Sequence, residues 1–206
     1  TVDTYKIPAA LLNDEAFIRS KVPMTREEVR WAILGKLQLQ PGDILWDIGA
    51  GTGSVTMECG RMLTLLGPAS GNGSRLGQVY AVERNADAIE LIEKNKARFG
   101  LENIHIIKGD AIECVKSLPK PDCVFIGGSG RELKDLLGFI KGLGSHIRVI
   151  TACVTMETIA QALEAYDHTW ANVEMIQINI GRGKALGSYH VMDGSHPVTL
   201  FCGETQ

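Results

Sequence analysis

The tightest constraint on this chain is the stretch Asp47-Ile48-Gly49-Ala50-Gly51-Thr52-Gly53, set between an apolar run starting at Ile44 and a helical pattern over 55–66. Three glycines at alternate positions let the backbone turn sharply and come close to a ligand with no Cβ in the way. The helix that follows offers free N–H groups. Beyond this junction, short β-rich runs keep alternating with helical patterns, which predicts an α/β fold with a mainly parallel sheet. The predicted strands cover 44–48, 78–82, 104–108, 122–126 and 147–153, each apolar enough to be covered by helices on both faces. Helices are expected over 55–66, 86–99, 111–117, 132–143 and 157–166. Two last β-like runs, 172–180 and 196–202, follow with no helix between them and predict an antiparallel pair closing the sheet.

Ahead of the first strand, Thr25-Arg26-Glu27-Glu28 has the spacing of a capping box, and Val29, Ile33 and Leu37 share one face of the helix that would follow. The chain thus divides into a helical lead-in over 1–42 and an α/β core over 43–206, a single domain with neither a repeat nor a dividing linker. A glycine- and serine-rich stretch over 67–74 is expected as an insertion at the far end of the sheet, away from the glycine turn. The missing initiator Met suggests a processed chain, a trimmed one, or a part of a longer polypeptide.

The glycine spacing is G-x-G-x-G, not the G-x-G-x-x-G that seats a dinucleotide pyrophosphate on a helix. An acid at Asp47 would repel a pyrophosphate but suits a ligand carrying an ammonium and a sulfonium, as S-adenosylmethionine does. Glu83 closes the second predicted strand, where a carboxylate can accept hydrogen bonds from both hydroxyls of a ribose. Asp110 follows the third strand, placed to meet an adenine amino group. Singly, each would read as a solvated strand-end acid. Together, three acids after three consecutive strands point to the carboxyl edge of an open α/β sheet, where ligands bind. Glu83 stands 30 residues after Gly53, where ~20 is usual for a ribose acid. The glycine- and serine-rich insertion accounts for the excess.

On these residues the chain resembles the class I S-adenosylmethionine-dependent methyltransferases, whose Rossmann-like sheet has seven strands, mostly parallel, with the last one antiparallel. Three further segments narrow the likeness: Val22 to Arg30 in the lead-in, Ile126 to Leu133 after the fourth strand, and Asn179 to Leu186 near the final strands. They resemble the cobalamin-pathway precorrin methyltransferases that methylate carbon 15 and decarboxylate an acetate side chain, a unit often fused behind a second methyltransferase domain acting at carbon 5. The resemblance implies S-adenosylmethionine bound by Thr25, Asp47, Gly49, Ala50, Gly51, Thr52, Gly53, Glu83, Arg84, Asn85, Gly109, Asp110, Ala111 and Gly127. It also implies a tetrapyrrole substrate, a homotetramer, and direct methyl transfer needing neither metal nor covalent nucleophile.

The residues near the substrate carry their own argument. Gly127, Gly128, Ser129 and Gly130 are all small, leaving room for a bulky planar molecule and backbone N–H groups for a carboxylate. Arg182 and Lys184, with Arg131 a weaker candidate, could hold the peripheral carboxylates of a precorrin, although each would equally serve as a solvated surface charge. His190 and His196 read as loop or surface histidines rather than proton carriers, and Met24 and Trp31 as helix packing. The five cysteines are odd in number and widely spaced, so they are expected as reduced thiols of a cytoplasmic protein, with Cys59 and Cys153 in the packing. A net charge of −3 supplies no basic excess for nucleic acid, and no apolar run is long enough to span a membrane. A transfer-RNA or protein-carboxyl methyltransferase on the same fold is the nearest alternative, and a nonenzymatic cofactor-binding protein a more distant one.

Overall fold

The computed structural model describes residues 11–70, 75–128 and 132–206. The first strand, β1 (Ile44–Ile48), is buried along its whole length, as befits the centre of a parallel sheet. Its side chains alternate: Leu45 joins the core on one face, while Ile44, Trp46 and Ile48 join the core on the other. The same alternation turns Asp47 toward the helix that follows the glycine turn. That helix is α2 (Ser54–Leu66), preceded in the lead-in by α1 (Glu27–Leu37).

Then come β2 (Gln78–Glu83), α3 (Ala86–Phe99), β3 (Ile104–Lys108), α4 (Ala111–Val115), β4 (Cys123–Ile126), α5 (Leu133–Gly142), β5 (Arg148–Cys153) and α6 (Met156–Ala165). Four strands complete the chain: β6 (Trp170–Ile178), β7 (Gly181–Leu186), β8 (Tyr189–Gly194) and β9 (Val198–Thr205). The main sheet runs β3-β2-β1-β4-β5-β9-β6, with β9 antiparallel to both its neighbours. The chain winds outward from β1 through β2 and β3, then returns to lay β4 against the other side of β1. This reversal leaves a crevice at the carboxyl ends of β1 and β4, the place where open α/β sheets bind ligands.

The lead-in is fastened to the core by buried polar groups. The Arg30 guanidinium is fully buried and donates to Asp14 Oδ1 at 2.9 Å and to the carbonyls of Thr25 and Leu12, both at 2.7 Å. It also lies 4.6 Å over the Phe17 ring and 3.8 Å from the buried Glu58 of α2. Asn95 of α3 brackets Ile18, accepting from its N–H at 2.8 Å and donating to its carbonyl at 3.1 Å, and reaches the Thr52 carbonyl at 3.3 Å. One side chain thereby ties the lead-in to the glycine turn. Val29, Ile33 and Leu37 are buried against this face, as their spacing predicts.

The structure departs from the sequence expectations in three ways. Helix α1 is capped at Arg26 rather than Thr25, with no side-chain cap: Thr25 gives its carbonyl to Arg30, and the Glu28 carboxylate turns outward to a cation instead of back to the cap. The helix expected over 111–117 closes at Val115. Most notably, 181–194 forms a separate hairpin, β7 against β8, that the sequence analysis leaves unassigned. The insertion does begin at the far end of the sheet, where Ala69 donates to the Arg75 carbonyl beside Gly42, just ahead of β1.

Because Arg30 satisfies three acceptors with no exposure to water, its truncation leaves Asp14 Oδ1 and the Thr25 carbonyl without this donor and the Leu12 carbonyl with only the 3.3 Å bond from the Trp31 indole. Arg30→Ala is expected to cost roughly 3–5 kcal/mol in urea unfolding with an unchanged m-value. A loss below about 1 kcal/mol would mean that the Arg30 contacts do not fasten the lead-in.

Candidate active site

The glycine turn is built by three strand ends drawn together. Gly49 and Ala50 donate to the Val82 carbonyl of β2 at 2.9 and 3.2 Å, and Gly127 and Gly128, just past β4, donate to the Ile48 carbonyl at 2.9 and 3.3 Å. Gly49 has φ of 71°, and a Cβ placed on it would stand 2.2 Å from the Gly128 carbonyl oxygen. Both its conformation and its clearance therefore require glycine. Gly51 and Gly53 also have positive φ, and Gly53 leads directly into α2.

Glu83, the last residue of β2, braces this turn. Its Oε2 accepts from the Gly51 N–H at 2.9 Å, and its Oε1 accepts from Arg84 and Asn85 at 2.8 and 2.9 Å. A carboxylate has about four lone-pair sites, so three backbone bonds leave capacity for a ligand hydroxyl. Asn85 caps α3, accepting from Asp87 and Ala88. Asp110 precedes α4 and is partly exposed, with the Arg84 guanidinium 3.9 Å away.

Asp47 sits behind the turn rather than in the open crevice. It is completely buried, receives a short hydrogen bond from the Thr56 hydroxyl of α2, and its Oδ1 has no hydrogen-bond partner among the described residues. Burial pushes its carboxyl up to about 7, opposed by the Thr56 hydroxyl and reinforced by the charge of Glu83.

Two cavities meet at Gly49. The smaller, about 240 Å³, lies between Glu83, Arg84, Gly109, Asp110, Ala111 and Gly128. The larger, about 750 Å³, opens between the residues leading into α1, including Thr25, and the segment joining β8 to β9. Its floor is the glycine turn with Gly127, and Val29, Phe125 and Ile180 give it apolar walls. These features fit S-adenosylmethionine on three counts: a cradle that a Cβ would fill, strand-end acids in a pocket of nucleoside dimensions, and a buried carboxylate oxygen with no partner behind the turn. In that fit Glu83, Asp110 and Ala111 hold the nucleoside, and the turn from Gly49 to Thr52 with Thr25 holds the methionyl end.

Nearly all the residues proposed for the cofactor from sequence thus converge here. Ser129, Gly130 and Arg131 lie outside the described residues. Arg182 and Lys184 lie on β7 and are not part of the larger cavity's lining. Arg182 is engaged by the first turn of α1, 2.8 Å from Glu28 and 3.5 Å from Glu27. His196, read from sequence as a loop or surface residue, lines the larger cavity, and Met24, which packs against the core as expected, lines it too. The available signal for His196 was its turn sequence, Gly194-Ser195-His196-Pro197, directly ahead of a β-run.

A family model described as a precorrin methyltransferase domain matches residues 15–205. The chain belongs to that family. A relative from Pyrobaculum aerophilum, named "Probable cobalt-precorrin-6B C(15)-methyltransferase (decarboxylating)", is 36% identical over 190 residues, covering 91% of this chain and 92% of its own. Among solved structures, the precorrin-6Y C5,15-methyltransferase of Geobacter metallireducens superposes with a TM-score of 0.84 at 30% identity, covering 98% of this chain and 100% of its own. A precorrin 8W decarboxylase from Methanobacterium thermoautotrophicum superposes at 0.80 with 32% identity, covering 93% and 98%. For this precorrin methyltransferase domain, the seven-stranded sheet with one antiparallel strand agrees with the fold class expected from sequence.

The buried acid gives this site a pH signature. With its proton held up to about 7 in the folded protein against an ordinary 3.8, Asp47 binds a proton more tightly folded than unfolded. Its contribution to stability is therefore full below about pH 4 and is lost as pH rises toward 7. Asp47→Asn should remove that decline. Relative to wild type, the variant should gain roughly 2–4 kcal/mol between pH 4 and pH 8 in cofactor-free urea unfolding. Parallel pH profiles for the two proteins would place the proton elsewhere.

Proposed function

We propose that this chain is an S-adenosylmethionine-dependent C-methyltransferase of cobalamin biosynthesis, methylating a precorrin at carbon 15 and decarboxylating the neighbouring acetate side chain. The observation that carries the reading is the pair of cavities meeting at Gly49, one of nucleoside dimensions between acids and one larger and largely apolar. Family membership supplies the tetrapyrrole as the substrate class. When bound, S-adenosylmethionine supplies a methyl group already activated on sulfur. The protein's own part is then to orient the macrocycle over the turn and to keep water from it.

Apolar walls at Val29, Phe125 and Ile180 suit the flat ring, and Arg182, held against the first turn of α1, is a cation suited to its carboxylates. Arg182 and Lys184, two residues apart on β7, share a face of the strand, and the planar guanidinium matches a carboxylate in bidentate fashion. In the free protein Glu28 and Glu27 occupy that guanidinium, so a propionate or acetate of the substrate exchanges one carboxylate for another at the same cation. One face of the β7–β8 hairpin exposes Leu186, Tyr189 and Val191, an apolar surface that supports assembly into a homo-oligomer, a tetramer by family likeness.

Incubation with S-adenosylmethionine and a precorrin pool should yield a product that has gained a methyl and lost carbon dioxide by mass spectrometry. A nucleic acid or protein methylated in its place would redirect the reading to another methyltransferase class. Within the reaction, Arg182→Ala is expected to lower kcat/KM for the tetrapyrrole by about 10- to 100-fold, or ~1.4–2.8 kcal/mol of positioning, while cofactor affinity stays unchanged. Arg182→Lys should recover part of the loss. Equal turnover by wild type and Arg182→Ala at subsaturating substrate would leave Arg182 as a structural partner of α1.

A further inference from the structure

Decarboxylation of an acetate side chain has a requirement that methyl transfer does not. The carbon–carbon bond to the carboxylate breaks, its electron pair enters the conjugated macrocycle, and carbon dioxide leaves. A proton must then reach the former methylene carbon to complete a methyl group. Some group at the substrate cavity has to hold that proton or admit a water that does.

Among the described residues lining the larger cavity, the ionisable side chains are Arg26 and His196. A guanidinium does not give up its proton and cannot serve, whereas an imidazole nitrogen can both donate a proton and take one back. His196 is also firmly placed. On one side Ser195 donates to the Ile180 carbonyl twice, from its N–H at 2.9 Å and from its hydroxyl at 3.2 Å. On the other, Pro197 restricts the backbone and Val198 pairs with Ile178 at the start of β9. The imidazole itself has no hydrogen-bond or ion-pair partner among the described residues, so neither ring nitrogen is committed to another group. Across the cavity mouth stand Thr25 and Arg26 of the lead-in.

We infer that His196 is a catalytic residue of the decarboxylation, its protonated ring nitrogen donating to the methylene carbon as carbon dioxide departs and recovering a proton from solvent. This rests on the function proposed above and assigns one of its two chemical events to a single side chain. The remaining groups around the turn serve the cofactor, and no proton transfer is asked of them.

The test is product analysis with S-adenosylmethionine and a precorrin pool in imidazole-free buffer, comparing wild type, His196→Gln and His196→Gly. Wild type that neither methylates nor decarboxylates the precorrin would defeat the function itself, and this assignment with it. Given an active wild type, both variants should bind S-adenosylmethionine normally by calorimetry and form decarboxylated product about 100-fold more slowly. Added imidazole should restore a substantial part of that rate to His196→Gly and none to wild type. Support comes either from accumulation of methylated but carboxylated product, or from loss of both events that imidazole reverses. An unchanged rate of carbon dioxide loss would overturn the assignment while leaving the function standing. So would a loss of both events that imidazole does not relieve, which would make His196 a contact that positions the ring.

Discussion

The site depends first on the close approach of two strand ends, Gly49 after β1 and Gly128 after β4. With the backbone of Gly128 where the Cβ of any other residue at 49 would stand, the carboxyl ends of two adjacent parallel strands come together as no side chain would permit. The crevice opened by the reversal of strand order is thereby split into a smaller and a larger cavity that touch at one residue. The methyl donor and acceptor of a transfer reaction need this arrangement: separate seats, and a narrow shared point where sulfur and nucleophile can meet.

The surrounding polar groups hold that point still. Glu83 spends three of its lone pairs on backbone N–H groups, one of them in the turn itself. Asn95 joins Thr52 to the lead-in, and Arg30 joins the lead-in to α2. The wall of the larger cavity that is furthest from the sheet in sequence is thus anchored to the same elements that shape the turn. Asp47 stands apart, since a buried carboxylate oxygen with no hydrogen-bond partner is costly. That cost is lowered by protonation in the free protein, and a cation bound across the turn would lower it in the complex. Cofactor binding and proton release are coupled on this account.

Much of this was legible in the sequence because glycine and strand-end acids carry their reasons locally. The turn from Gly49 to Gly53, Glu83 at the end of β2 and Asp110 after β3 fall where strand periodicity places them. The cap of α1 departs from its spacing because tertiary partners intervene: Arg182 takes the Glu28 carboxylate that would close the box, and Arg30 takes the Thr25 carbonyl. The β7–β8 hairpin escaped because its residues are exposed throughout, so no alternation of buried and exposed positions marks it. His196 shows the same limit from the other side. Its place in the cavity comes from how β9 returns beside β5 and β6, a long-range pairing that local sequence does not report.

The division of labour across Gly49 would be visible in a crystal structure of the complex with S-adenosylhomocysteine. The nucleoside should lie in the smaller cavity, with a ribose hydroxyl on Glu83 and the adenine beside Asp110. The sulfur should lie at the glycine turn, facing the larger cavity. A nucleoside seated in the larger cavity, or a ribose with no contact to Glu83, would contradict it.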